Sequence, residues 1–416
     1  MNEPDGTELN CTTFDQLIAP IMTKSHTIEA ERTRHHRETL TFIAFVRLLI
    51  YYFVTPTGSG RQLLTDALSA APTLGLEKVS RSTFFDGFNR FPVVWFQMLL
   101  ETVLAATTWQ AIPELDALGQ LYCVDGSLFP ALTRMVWAEY KSKSRAVRLH
   151  LCFELNRMVA AQFLVDAGNS SERDALRQML QAGVTYIADR GYVCFQLLAD
   201  IVACEAHFVM RMKSNLICPV VETLTVELPE VVQHIFTQVS DQRVCLTRAG
   251  GQPIYRLVTF CVGSEKYLVL TDRLELTTFQ IILLYAYRWQ VELIFRFLKR
   301  TMTGLHLLSA SKEGVTIQFY TLLCTALLQL RLKQTCVATI EAAHSHVASS
   351  PPAPDTIPGL MVQSEMLRSA RGQTFLATVG AKLHRYWKIS IHWLITLRNL
   401  LARPFDKAAI HLLGST

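Results

Sequence analysis

The sequence predicts an α/β chain, a mixed sheet flanked by helices, and three observations carry that prediction. Residues 12 to 112 show only helical spacing. From residue 120 onward, short apolar runs of strand type alternate with helical segments. Apolar residues make up 50% of the 416 and charged residues only 18%, a balance that fits well-buried layers and argues against disorder.

The elements follow in order. TFDQLIAPIMTK and TLTFIAFVRLLIYYFV have helical spacing, and TPTGSG breaks the chain after them. SRSTFFDGFNRFP reads as a short helix capped by Ser82 or Thr83 and stopped by Pro92, the size of the second helix of a helix-turn-helix. LYCVDGSLF is a short strand that ends at Asp125-Gly126-Ser127, read as a turn. AVRLHLCFEL and MVAAQFLVDAG are two strands joined by a hairpin at Asn156-Arg157. SERDALRQMLQAG is a helix closed by Gly183, VTYIADRGY a strand ending on Asp189, FQLLADIVACEA a helix and HFVMRMKSN a strand. Residues 216 to 272 are richer in β signals: RVCLTRAGG, PIYRLVTFCV and EKYLVLTD form three strands, the first two turning at Gly250-Gly251. Two strongly apolar segments occupy residues 315 to 345, SSPPAPDTIPG is a Pro-rich linker, and the chain closes on a basic and aromatic helical segment. The expected division is an N-terminal helical domain at 1–115, an α/β domain at 116–348, a linker at 349–359 and a C-terminal segment at 360–416.

Several function classes recede on composition. The apolar runs at 42–54 and 319–332 are shorter than the roughly 20 residues of a membrane span, and the opening MNEPDGTELN is no secretory leader. Ten cysteines stand singly with no C-x-x-C pair, so metal-ligand spacing and a disulfide framework are both missing, and a reducing cytoplasm is expected. Net charge is +5 with a pI near 8.6, but basic residues cluster at Lys24–Arg37, Lys141–Arg148 and Arg288–Arg300 and scatter over 368–403. Local positive patches on a nearly balanced chain suit a polyanion partner.

Three carboxylates hold the chemistry. Asp125 and Asp189 each end an apolar strand, which puts them at the rim of a sheet, where open α/β sheets place their ligands. Glu292 lies in YAYRWQVELIFRFLK, where Tyr285, Arg288, Glu292 and Lys299 fall within about 60° of one another on a helix. Taken alone, Arg288 and Glu292 read equally well as an i,i+4 ion pair. Three converging carboxylates repel unless a cation neutralises them. Oxygen donors without a His or Cys cluster point to Mg²⁺ or Mn²⁺, and two such ions about 3.5–4 Å apart suit phosphodiester chemistry.

These residues resemble the DDE transposases of bacterial cut-and-paste insertion sequences, in the branch with a Y-x2-R-x3-E-x6-K signature. Tyr285, Arg288, Glu292 and Lys299 match the signature at every interval. Asp125-Gly126-Ser127 and Asp189-Arg190-Gly191-Tyr192 stand in the contexts of the family's first two acids, and Arg211-Met212-Lys213-Ser214-Asn215 echoes its basic strand. The resemblance covers roughly residues 80 to 345. It implies an RNase H-like fold interrupted by a β-rich insertion at about 216–272, with Asp125, Asp189 and Glu292 as catalytic acids and ligands of two Mg²⁺ or Mn²⁺ ions. It implies DNA contacts by Tyr285, Arg288, Lys299, Arg211 and Lys213, with Trp289 and Tyr267 as candidates for base stacking. Excision and strand transfer would proceed through a hairpin on the transposon end. The partners would be the terminal inverted repeats, target DNA and a second copy of the chain, in a bacterial cytoplasm or on its nucleoid. A catalytically inactive DNA-binding descendant and a related metal-dependent nuclease are the alternatives.

Overall fold

The computed structural model describes residues 6–54, most of 65–106, and 113–348 apart from 143, 215, 217, 231–232, 247–252 and 301–305. The Pro-rich linker, the C-terminal segment, Asn215 and the Gly250-Gly251 turn lie outside the described residues. The described residues form two compact units, one drawn from before residue 109 and from Phe297 on, the other from Trp109–Arg296. Compactness therefore divides the chain inside the range that the sequence assigns to one α/β domain.

The first unit is helical. Helices α1 (Gly6–Glu31), α2 (Phe42–Val54), α3 (Arg81–Arg90) and α4 (Val93–Ala106) surround an aromatic core. Phe45 meets Phe84, Phe88, Phe91 and Phe96 at ring-centroid separations of 5.1–6.1 Å. A Cβ on Gly87 would come within 2.6 Å of the Phe45 ring, so α3 reaches α2 only because that residue has none. The cap of α3 is Ser80, whose hydroxyl accepts from the Thr83 N–H at 3.1 Å, not Ser82 or Thr83 as the spacing suggested.

The second unit is built on one ten-stranded sheet. After the single turn α5 (Pro113–Asp116) come β1 (Gln120–Pro130), β2 (Glu139–Lys141), β3 (Ser144–Glu154) and β4 (Val159–Ala167). Then follow α6 (Glu172–Gln178), β5 (Val184–Ala188), α7 (Phe195–Ala203) and β6 (His207–Arg211). Strand β3 runs antiparallel to both β1 and β4, while β5 and β6 run parallel to β1, giving the order β4-β3-β1-β5-β6. That arrangement, with helices on both faces, is RNase H-like. The inserted strands β7 (Val220–Leu224), β8 (Phe236–Cys245), β9 (Ile254–Val262) and β10 (Glu265–Thr271) make no separate layer. They extend the same sheet outward from β6, antiparallel throughout.

Burial on both faces explains why β1 and β5 read as unbroken apolar runs: residues 121–124 and 184–188 are all buried. Even-numbered Tyr122, Val124, Tyr186 and Ala188 share a core with Leu176 of α6 and Leu197, Leu198 and Ile201 of α7. The odd-numbered positions of β1 look the other way, toward α8 (Thr278–Ala286): Cys123 Sγ donates to the Tyr287 carbonyl just past that helix, at 3.4 Å.

Helix α9 (Trp289–Arg300) leads to α10 (Lys312–Ala348), one continuous helix where the sequence suggested two apolar segments. It packs on α1, α2, α3 and α4, and the Arg331 guanidinium bonds the Ala106 carbonyl at the C-terminal end of α4 (2.9 Å). Continuity also changes the membrane arithmetic. Lys312–Leu332 is long and apolar enough to cross a bilayer by length and composition, although 72% of that window is buried within the protein.

Candidate active site

Strand register brings the first two acids together. Pairing of β1 with β5 stops at Val124↔Ala188, so Asp125 and Asp189 are the next residues along two neighbouring strands. Asp125 does not end its strand, as the sequence suggested. Strand β1 continues to Pro130, paired with β3 all the way, and only its β5 flank is open from Asp125 onward. The Gly126-Ser127 pair that looks like a turn therefore lies inside a strand, held there by β3. Asp125 shares the odd-numbered face with Cys123 and so looks toward the turn between α8 and α9.

That turn corrects a second expectation. Tyr285, Arg288, Glu292 and Lys299 do not ride on one straight helix. Helix α8 is opened by a capping box between Thr277 and Gln280 and ends at Ala286. The Arg288 N–H then bonds the Tyr285 carbonyl (3.1 Å) and the Gln290 N–H the Tyr287 carbonyl (2.9 Å), three-residue bonds that tighten the chain before α9 begins at Trp289. Tyr285 thus belongs to α8, Arg288 to the turn, and Glu292 and Lys299 to α9.

The side chains at this turn engage the acids. The buried Tyr285 hydroxyl donates to Asp189 Oδ1 at 3.1 Å; burial and the Asp189 charge push its pKa up to about 12. The buried Arg288 guanidinium donates to Glu292 Oε1 at 2.9 Å. Burial works against its charge, yet Tyr285, Asp189 and Glu292 together raise its pKa. Asp125 accepts from the Gly126 N–H at 2.8 Å, but burial, with Glu292 and Glu172 nearby, pushes its carboxyl up to about 6 against the pull of Arg288. One guanidinium therefore stands in the field of all three acids.

The donors suit a hard divalent cation: oxygen-only carboxylates, one of them with its carboxyl pushed up to about 6 by burial. Among the described residues no three His, Cys, Asp or Glu side chains stand close enough together to hold an ion as they are, and Glu292 is bonded to Arg288. Asp125, Asp189 and Glu292 are the residues that would hold one.

Arg211 ends β6 with its guanidinium 4.4 Å over the Tyr267 ring and 3.4 Å from Glu265, and Lys213 is exposed two residues on. Tyr267 already carries Phe260 stacked at 5.2 Å and stands 6.1 Å from Tyr285, so its ring is engaged. Lys299 is half-buried on α9; the Trp289 side chain lies outside the described residues. Sequence reasoning missed Glu172, which reaches the rim beside Gly126 and Gly191 from the α6 face. Its only signal was a Ser171 cap followed by acids, which any helix start shares.

In this RNase H-like sheet Asp125 stands inside β1 beside Asp189, just past β5, and Glu292 lies on α9. Residues 116–328, just over half of the chain, match the family described as Transposase DDE domain, and the chain belongs to it. A protein of Sinorhizobium fredii named as a transposase, y4zB, is 26% identical over 216 residues, 50% of this chain and 60% of that one. The chain thus spans about three fifths of that relative. A protein of Geobacillus stearothermophilus named as a transposase for insertion sequence element IS5377 is 22% identical over 295 residues, 70% of this chain and 77% of that one. A cryo-EM structure of the piggyBac transposase synaptic complex with hairpin DNA aligns with 84% of this chain and 87% of that one, at 11% identity. Its TM-score of 0.38 is too low for that likeness to carry an argument.

Proposed function

We propose that the chain is a DNA transposase that excises an insertion sequence and joins it to target DNA, using Asp125, Asp189 and Glu292 on one divalent-metal site. The observation that carries this reading is the register of β1 and β5, which sets Asp125 beside Asp189 on the face that looks toward the turn before Glu292. Two Mg²⁺ or Mn²⁺ ions held there would stabilise negative charge on the attacking and leaving oxygens of a phosphodiester. The chain's own residues do the positioning. Tyr285 orients Asp189, and Arg288 holds Glu292 in the DNA-free protein. A DNA phosphate competes for the Arg288 fork, since guanidinium suits bidentate phosphate contact, and so releases Glu292 to the site. Lys299, Arg211 and Lys213 supply further phosphate contacts.

The chemistry is a series of in-line displacements. Water attacks at the element's end, and the freed 3′-hydroxyl attacks the opposite strand to form a hairpin. Water reopens the hairpin, and the same 3′-hydroxyl joins target DNA. The partners are the terminal inverted repeats, target DNA and a second copy of the chain in the paired-end complex. Assignment to the Y-R-E-K branch rests on the spacing of Tyr285, Arg288, Glu292 and Lys299.

The test is a cleavage assay on supercoiled plasmid carrying the element's ends, with Mg²⁺ or EDTA, for the wild type and Glu292→Gln. Mg²⁺-dependent release of a fragment, lost in Glu292→Gln while end binding persists, is the expected result. Cutting that survives Glu292→Gln returns Arg288 and Glu292 to a plain ion pair. End binding without any cutting marks a DNA-binding protein instead.

A further inference from the structure

The rim that holds Asp125 has a back. Odd-numbered β1 residues look toward α8, but Gly126 faces the other way, toward α6, and its register partner is His150. There Glu172 inserts its carboxylate: Oε1 would be 3.2 Å from a Cβ on Gly126, and Oε2 3.1 Å from a Cβ on Gly191. Those two glycines follow Asp125 by one residue and Asp189 by two. One side chain therefore touches the backbone beside both strand-borne acids, and both touched positions are residues without a side chain.

The wedge is held firmly. Arg148, on β3, donates through Nη1 to Glu172 Oε1 and through Nε and Nη2 to the Gly168 carbonyl at 3.1 and 2.9 Å. The guanidinium is thus anchored to backbone on one edge and to Glu172 on the other, a fixed fork with little freedom left. Around it, polar atoms are left without partners. The Tyr192 hydroxyl is 2% exposed, has no hydrogen-bond partner and feels the charges of Asp125 and Glu172. His150 is fully buried with Nδ1 unpartnered, although Nε2 meets the Ser170 hydroxyl at 3.1 Å.

We infer that Glu172 is a positioning residue of the acid site, a wedge locked by Arg148 that fixes the spacing at which Asp125 and Asp189 meet a divalent ion. The inference rests on the reading of those two acids as ion-binding groups. Groups that orient metal ligands from behind typically change metal affinity about 10- to 100-fold when removed. A purely structural ion pair changes stability and leaves affinity alone.

The experiment is a Mn²⁺ titration of the full chain bound to a pre-cleaved duplex of the element's end, read by the loss of the free-ion EPR signal and corrected for the duplex alone, with thermal melting of the protein in EDTA alongside. Glu172→Gln keeps size but loses the ion pair with Arg148; it is expected to bind Mn²⁺ about tenfold more weakly with an unchanged melting profile. Gly191→Ala pushes a Cβ against the wedge and is expected to weaken binding in the wild-type background. The same substitution is expected to be silent with Glu172→Ala, where the space is open. Wild-type affinity in both Glu172→Gln and Gly191→Ala overturns the inference, even if their melting temperatures drop. Asp125→Asn separates the two levels. If it loses Mn²⁺ while Glu172→Gln does not, only the inference falls; if it binds like the wild type, the reading of the acids falls with it.

Discussion

Asp241 and Asp125 both lie on strands of the one sheet and both are largely withdrawn from water, yet their surroundings differ. Asp241, on β8, has no exposed surface; Arg256 donates to both its oxygens at 2.8 and 2.6 Å, and the Thr278 hydroxyl adds a third bond at 2.6 Å. Arg256 also bonds the Leu274 and Leu276 carbonyls, which ties the inserted strands to the start of α8. Asp125 accepts from its neighbour's N–H, and its carboxyl is pushed up to about 6. A buried acid that serves structure is fully paired. One left short of positive charge beside like charges costs stability, and such sites mark where function is to be sought.

Breaking the paired acid is the largest expected effect on stability. Asp241→Ala leaves Arg256 charged and buried without its carboxylate, and should cost about 3–5 kcal/mol in urea unfolding. A loss under about 1 kcal/mol would erase the contrast between the two acids.

Asp125→Asn should move stability the other way in EDTA. The folded carboxyl titrates near 6 against a reference of 3.8, so its ionised form opposes folding at any pH above about 6. The two-unit difference corresponds to about 2–3 kcal/mol gained by the amide at pH 8. That gain should shrink as pH falls from 6 toward 4 and vanish below, because the wild-type carboxyl is then protonated in both states. Stabilisation that persists at pH 3.5 would point to packing instead of charge.

A smaller loss sharpens the comparison at the opposite end of β1. Asn156 Oδ1 accepts from the Leu121 N–H at 2.9 Å, while Nδ2 donates to the Gly119 carbonyl at 2.9 Å and to Asp116 at 3.1 Å. Asn156→Ala strands a buried N–H and should cost about 1–3 kcal/mol without touching DNA cleavage. Cleavage that falls in proportion to stability would show the two strand ends to be coupled.

Much of this protein was already present in residue order. Strands β1 and β5 are buried on both faces, so their apolar runs announce them without any partner, and each acid follows such a run directly. The spacing of Tyr285, Arg288, Glu292 and Lys299, with Asp125-Gly126-Ser127 and Asp189–Tyr192, pointed to a family that the match over residues 116–328 then established. Local signals failed where a distant segment decides the outcome. Asp125-Gly126-Ser127 has turn chemistry, yet β3 pairs with it and keeps it extended. A continuous helical pattern from 278 to 300 hides the break at Tyr287–Arg288, where the chain bends in 3-residue bonds and Cys123 reaches the Tyr287 carbonyl. Side-chain period along a strand is a property of the strand itself; register is a property of two strands, set by what each buries against the other. Sequence alone therefore determined most of the strands, though not β2, β7 or the first part of β8, and which acids to watch. Only the tertiary structure decided that Asp125 stands beside Asp189, that Arg288 occupies Glu292, and that Glu172 stands behind them both.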